Sequence, residues 1–279
     1  MFKRILVPTD GSEQAMKSLQ YGIGWAKFFN GTIVCLYVID IKLLEGPLFR
    51  DIATYLGTTP WTNYQNQIRS FLEEKGKQVL DACEKLCSKN NVSSEKILQI
   101  GLVSQTIVEQ SELCDLVIIG KSGEHSKWLE DFIGGTTYAT IRKIRRPVIV
   151  TTQPEFMKGE ILVAYDKSPS AREALRISSE LAKEWNTTYH VVHISPKDET
   201  DALEEASNYL KSKNVNFIVH LIKNTSPSKG ILEAYEQIKP ALVAMGAFGK
   251  KRVQEWIVGS TTISILQSID SPVLLARLN

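Results

Sequence analysis

Short runs of uninterrupted apolar residues alternate along this chain with longer stretches whose apolar positions recur every three or four residues. The runs "RILVPT" (4–9), "TIVCLYVI" (32–39), "EKILQI" (95–100), "DLVIIG" (115–120) and "PVIVT" (147–151) predict strands buried on both faces. The stretches "EQAMKSLQYGIGWAKFF" (13–29), "IRSFLEEKGKQVLDACEKLC" (68–87), "SQTIVEQSEL" (104–113) and "GTTYATIRKI" (135–144) predict amphipathic helices between them. From residue 161 the same order begins again and ends in "SPVLLARL" (271–278). Strands alternating with helices predict an α/β fold in which helices cover both faces of a parallel sheet.

The second half repeats the first in residues as well as in pattern. "ILVPTDGSEQAMKSL" (5–19) and "ILVAYDKSPSAREAL" (161–175) share Ile, Leu, Val, Asp, Ser, Ala and Leu at an offset of 156. "LVIIGKSG" (116–123) then aligns with "LVAMGAFG" (242–249) at an offset of 126, which leaves about 30 extra residues in the first copy, at about 41–66. The chain reads as two tandem doubly wound domains, 1–152 and 158–279, with "TTQPEFMKG" (151–159) as the linker. The apolar terminal strands "RPVIVT" and "SPVLLARL" are expected to face each other, since each would otherwise leave an exposed sheet edge. The insertion, rich in Leu43, Leu44, Leu48, Phe49, Ile52, Tyr55, Leu56 and Trp61, is expected to cover the first copy's crevice or a second chain, so a homodimer stays open.

Composition narrows the partners. A length of 279 residues, 43% apolar and 23% charged, suits two globular domains, and a net charge of +2 argues against nucleic acid as the main partner. The basic run Arg142, Lys143, Arg145, Arg146 is better placed to complement the carbonyl end of a helix. No apolar run reaches the length that crosses a bilayer, and the start is too short in apolar residues for a signal peptide, so a cytoplasmic location with no membrane is expected. Cys35, Cys83, Cys87 and Cys114 lack metal-ligand spacing and read as core residues.

In a doubly wound sheet, ligands bind beyond the carboxyl ends of the strands where the strand order reverses. Two loops of each copy lead there. After the first strand, Ser12 and Ser168 read as helix N-caps, Pro169 as the first helical residue, and Asp10 and Asp166 as either turn-forming or ligand-binding carboxylates. After the fourth strand, copy two reads Gly246-x2-Gly249-x9-Gly259-Ser260, with Thr261 and Thr262 following; copy one reads Gly120-x2-Gly123, then Gly134-Gly135 after ten residues. Glycines let backbone N–H groups approach an anion closely, and the following helix N-terminus favours negative charge. Within these loops copy two carries Lys250, Lys251 and Arg252 against Glu255, whereas copy one carries Lys121 and Lys127 against Glu124, Glu130 and Asp131. A polyphosphate is therefore expected mainly in copy two. A bulky residue at Gly259 is expected to block close backbone approach and so ATP binding, and the same change at Gly134 to cost little ATP binding.

Together "ILVPTDGS", "ILVAYDKSPSA" and the Gly246 to Ser260 motif resemble the universal stress protein family, in a tandem arrangement that spans essentially the whole chain. The resemblance implies two adenine nucleotide alpha hydrolase-like domains that pair within the chain, and a stress-response role with ATP or a related adenine nucleotide as a regulatory or stabilising ligand. Magnesium would be held by the phosphates. Carried over, the site of the second domain is Asp166, Ile194, Gly246, Gly249, Gly259, Ser260 and Thr261. That of the first is Pro8, Thr9, Asp10, Val38, Gly120, Gly123, Gly134 and Gly135. Ala164-Tyr165 replaces Pro8-Thr9 in the second copy, where Tyr165 could crowd the adenine; Gly135 replaces the serine in the first.

No Ser-His-Asp, Cys-His or paired-carboxylate arrangement stands out, and no P-loop signature is present, so any ATP hydrolysis is expected to be slow. His190, His193 and His220 read as packed strand residues, while His125 lies in the copy-one loop. A scaffold with empty crevices and a slow ATP hydrolase remain the alternatives.

Overall fold

The computed structural model describes residues 1–45, 61–123, 133–197, 199–247 and 258–277. The first half contains β1 (Arg4–Pro8), α1 (Glu13–Phe29), β2 (Thr32–Asp40), α2 (Ile41–Glu45), α3 (Trp61–Lys89), β3 (Ser93–Gly101), α4 (Val103–Ser111), β4 (Leu116–Gly120), α5 (Gly135–Lys143) and β5 (Val148–Thr151). The second contains β6 (Ile161–Ala164), α6 (Pro169–Trp185), β7 (Tyr189–Ser195), α7 (Asp201–Ser212), β8 (Phe217–Lys223), α8 (Pro227–Ile238), β9 (Leu242–Gly246), α9 (Ser260–Ser268) and β10 (Val273–Ala276).

The ten strands form one sheet in the order β3-β2-β1-β4-β5-β10-β9-β6-β7-β8. Every pairing is parallel except that of β5 with β10, where Val150, Ile149 and Val148 face Val273, Leu274 and Leu275 antiparallel. The terminal apolar strands thus do meet, and they do so by closing each other's edge within a continuous sheet. Strand order reverses between β1 and β4 in the first half and between β6 and β9 in the second.

Alternate strand residues feed two cores. Ile5, Val7, Ile161 and Val163 point to one face, packed under α1, α3, α6 and α7 through residues such as Leu19, Leu80, Leu181 and Leu203. Leu6 and Leu162 point to the other, under α4, α5, α8 and α9 through Ile107, Ile141, Ile231 and Ile265. Both cores run across the β5–β10 seam.

The linker is part of the packing. Phe156 sits against Tyr21, Trp25 and Trp185, with ring centroids 5.9, 5.6 and 5.7 Å away, and Lys158 Nζ lies 4.4 Å above the Phe28 ring. Gly24 in α1 is what admits it, because a Cβ there would come within 2.2 Å of Phe156 Cβ.

One feature departs from the sequence expectation. Helix α3 starts at Trp61 and runs 29 residues, so the insertion lengthens a helix whose counterpart α7 has 12. Leu48, Phe49, Ile52, Tyr55 and Leu56 lie outside the described residues, as does the side chain of Trp61. No helix among the described residues is long and apolar enough to cross a membrane.

Smaller expectations hold. Arg146 donates to the carbonyl of Glu112 at the end of α4 (2.7 Å). His193 Nδ1 lies 2.8 Å from the Tyr165 carbonyl, and His190 Nδ1 lies 2.9 Å from His220 Nε2, where burial, with His190 beside it, pushes the His220 pKa down.

All four cysteines are buried and free. Cys83 and Cys87, one turn apart on α3, face Cys35 on β2, and hydrogen bonding to them, together with burial, pushes the Cys35 thiol pKa up. Ellman's reagent is therefore expected to find no fast-reacting thiol in the folded protein and four after denaturation. Rapid labelling of the folded chain would show that α3 does not pack on β2 as described.

Candidate functional site

The end of β1 enters a turn that its own side chains shape. Asp10 Oδ1 accepts the Ser12 N–H (2.9 Å), Thr9 Oγ1 accepts the Gly11 N–H (3.2 Å), and Ser12 caps α1 by accepting from the Ala15 N–H (3.2 Å). The same turn recurs after β6, with Asp166 Oδ1 accepting from Ser168 (2.9 Å), Ser168 capping α6 at Ala171 (3.2 Å) and Pro169 opening the helix. Each aspartate thus uses one oxygen to form its turn. The intervening residue is left-handed in both copies, at φ 82° for Gly11 and φ 63° for Lys167.

Across the switch point, β4 ends at Gly120. Thr137 Oγ1 donates to the Gly120 carbonyl (2.7 Å), and Gly134 N–H donates to the Lys121 carbonyl (2.9 Å), which sets the first turn of α5 over the strand end. The Gly134 N-cap offers no side-chain bond to that turn. Gly123 closes on the other loop, since a Cβ there would lie 2.8 Å from Asp10 Oδ2.

These parts enclose a cavity of about 590 Å3. Pro8, Thr9, Asp10, Val38, Gly120, Gly123, Gly134 and Gly135, the whole first-copy set expected from sequence, line it together. These eight residues of four separate segments meet because the strand order reverses at β1 and β4. The lining also includes Ser122, Thr136 and Thr137 at the glycine end, and Leu36, Val103, Ile107 and Ile119 as apolar wall. The remaining wall is formed by Ala15, Tyr37, Ile39, Asp40, Leu43, Leu72 and Lys75, of which sequence reasoning expected Leu43 alone, as part of the insertion. Leu43 belongs to α2 and Leu72 and Lys75 to α3, so the described part of the insertion does border the first crevice.

The second copy reproduces the frame with different filling. Thr262 Oγ1 contacts the Gly246 carbonyl (3.4 Å), Gly259 N–H points to the Ala247 carbonyl (3.4 Å), and Gly259 takes the same N-cap conformation as Gly134. Ser260 and Thr261 open α9 beside it. Gly246 is required for packing, since a Cβ there would come within 2.8 Å of the Ala171 nitrogen. Ile194 lies against α8, 2.6 Å from where a Gly230 Cβ would be. Tyr165 does not crowd the face that carries Ile194. Its ring is buried in the opposite core and its hydroxyl bonds Glu205, which Arg172 grips through two hydrogen bonds (2.8 and 3.1 Å). Arg172, with Tyr165 beside it, holds the Glu205 carboxyl at about 2. Lys167 pairs with Asp201 alongside.

A Cβ at Gly134 would lie 3.2 Å from Ser122 Cα; among the described residues, which exclude 248–257, one at Gly259 would lie 3.7 Å from Thr262 Oγ1. Among the described residues nothing lies within 4 Å of the Gly135 Cβ position. A further expectation, that of Lys121 as a loop charge, needs revision. Lys121 is no loop charge for a ligand, because it is buried and its ammonium donates to the Gln267 carbonyl in the last turn of α9 (3.0 Å). Gly249, His125 and the other loop charges lie outside the described residues.

Comparison with known proteins agrees with this architecture. The model of the Universal stress protein family matches residues 1–152, 157–213 and 197–277. A universal stress protein of Synechocystis sp., Slr1230, is 25% identical over 99% of this chain and 100% of its own length. Universal stress protein MJ0577 of Methanocaldococcus jannaschii is 27% identical over 54% of this chain and 94% of its own. Among solved structures, a universal stress protein from Archaeoglobus fulgidus superposes with a TM-score of 0.80 at 23% identity, covering 98% of both chains. Matched by the family model along nearly its whole length, the chain belongs to the universal stress protein family.

Proposed function

We propose that this protein binds an adenine nucleotide, ATP or a close relative, in the crevice of its first half, and that the nucleotide serves as a regulatory or stabilising ligand in a stress response. The observation that carries this reading is the convergence of all eight first-copy residues on one cavity at a switch point, beneath a helix whose first turn has no side-chain cap. Phosphates would lie against Gly123, Gly134, Gly135 and the α5 N-terminus; the base would lie against Val38, Val103 and Ile107. Among the described residues no cluster of three His, Cys, Asp or Glu is arranged to hold a metal, so Mg2+ would enter on the phosphates. Slow hydrolysis is compatible with such a site.

A second reading places nucleotide in the second half. It is favoured by the basic residues Lys250, Lys251 and Arg252 in its loop sequence and by the uncapped N-terminus of α9.

Thermal unfolding with ATP and with GTP tests the proposal. A ligand at a hundred times its Kd stabilises by about 2.7 kcal/mol, so millimolar ATP should raise Tm by several degrees and GTP by less. No shift with any adenine nucleotide would favour the empty scaffold.

A further inference from the structure

We propose that β8 is a self-association edge, and that two copies of this chain pair their β8 strands antiparallel to form a closed twofold dimer. Among the described residues the sheet has two outer strands, β3 and β8, each hydrogen-bonded to a neighbouring strand on one side only. The repeat makes them comparable residue by residue. Ile33 and Tyr189 are equivalent through their pairing with Ile5 and Ile161; Ile33 faces Ser94, and Tyr189 faces Phe217. Glu95 and Lys96 of β3 therefore correspond to Ile218 and Val219 of β8.

Adjacent strand residues point to opposite faces, so each pair guards both faces of its edge. On β3 the guards are charged and engaged. Arg4 pairs with Glu95, and Lys96 bridges Asp81 (2.8 Å) and Glu84 (2.7 Å). Such charges prevent an edge from accepting another strand. On β8 the same two positions are apolar, with Ile218 48% and Val219 41% exposed, and no Asp, Glu, Lys or Arg occurs from Phe217 to Ile222.

A second β8 is the occupant that fits. With the dyad at Val219, Phe217 lies opposite Leu221 and Ile218 opposite His220, and each opposed pair shares a face. Lys223 falls opposite Val215, clear of any like charge. The two halves of the chain already join in this manner at β5 and β10, by antiparallel pairing of apolar strands at their edges. Because each copy has one β8, the association closes at two.

Sedimentation velocity on the full chain at tens of micromolar tests the inference. Wild type should sediment as a dimer. The double variant Ile218→Glu/Val219→Lys, which installs the residues of the protected edge, should be a monomer, with the dissociation constant raised at least about tenfold. Val219→Lys alone should weaken the dimer in the same direction, and an unchanged far-UV spectrum confirms folding of both. Ile100→Lys on β3 should leave the dimer intact. A monomeric wild type, a dimer unaffected by the β8 changes, a dimer broken by the β3 change instead, or open-ended larger species would each overturn it.

Discussion

Replacing Gly135 by valine should lower ATP affinity at least about tenfold, close to 1.4 kcal/mol, while leaving the fold as stable as before. Gly135 lines the first crevice, and among the described residues no atom lies within 4 Å of its Cβ position. New methyl groups would reach into the cavity that the nucleotide is proposed to fill. The residue begins α5 outside the left-handed region, and valine is a better helix residue than glycine, so Tm should not fall. Gly134 would be a poor choice for this experiment, because its side chain would strike Ser122 with or without ligand. Calorimetric titration of the Gly135→Val and Gly259→Val variants separates the two halves. Lost binding in the first and retained binding in the second is the expected pattern, and the reverse would move the site to the second half.

Trp25→Ala should cost about 3–5 kcal/mol, a large share of the stability of an ordinary domain. The indole is fully buried, with Phe2 and Phe29 at 5.4 Å and Trp185 of the second half at 6.0 Å. Phe156, the linker residue wedged beside it, is only partly buried, and its replacement by alanine should cost less, roughly 2 kcal/mol. Because both cores and the sheet run through the seam, wild type should unfold in one transition. Guanidinium unfolding followed by fluorescence and far-UV circular dichroism should therefore give coincident curves. Two separated transitions in wild type would show that the halves are joined more weakly than the packing implies.

Much of this was legible in the chain because it is local. The repeated Asp-x-Ser turns, the serine caps and Pro169 follow from short-range bonding, and the helix at 13–29 and the strands starting at Arg4 and Thr32 follow from periodicity. The first-copy site residues were legible from the family motif, and their convergence on one cavity then depended on strand order. What escaped was tertiary. The start of α3 at Trp61 lies seven residues before the periodic stretch that predicts the helix from Ile68. Lys121 reads as a loop charge until the antiparallel seam brings the end of α9 beside it. Phe156 reads as linker until Gly24 leaves room for its ring. Tyr165 reads as an obstruction until the alternation of strand residues turns it away from Ile194. Leu72 and Lys75 became site residues only because the insertion lengthened a helix over the crevice.

The presence of an adenine nucleotide in the first-half crevice is tested most directly by identifying what the protein carries. Freshly purified wild-type and Gly135→Val proteins, equilibrated with ATP and freed of excess by rapid gel filtration, would be acid-denatured and the released nucleotides separated by chromatography. Wild type should release an adenine nucleotide, up to one per chain, and the variant little or none. Wild type that releases no nucleotide, or a variant that releases as much as wild type, would contradict the account.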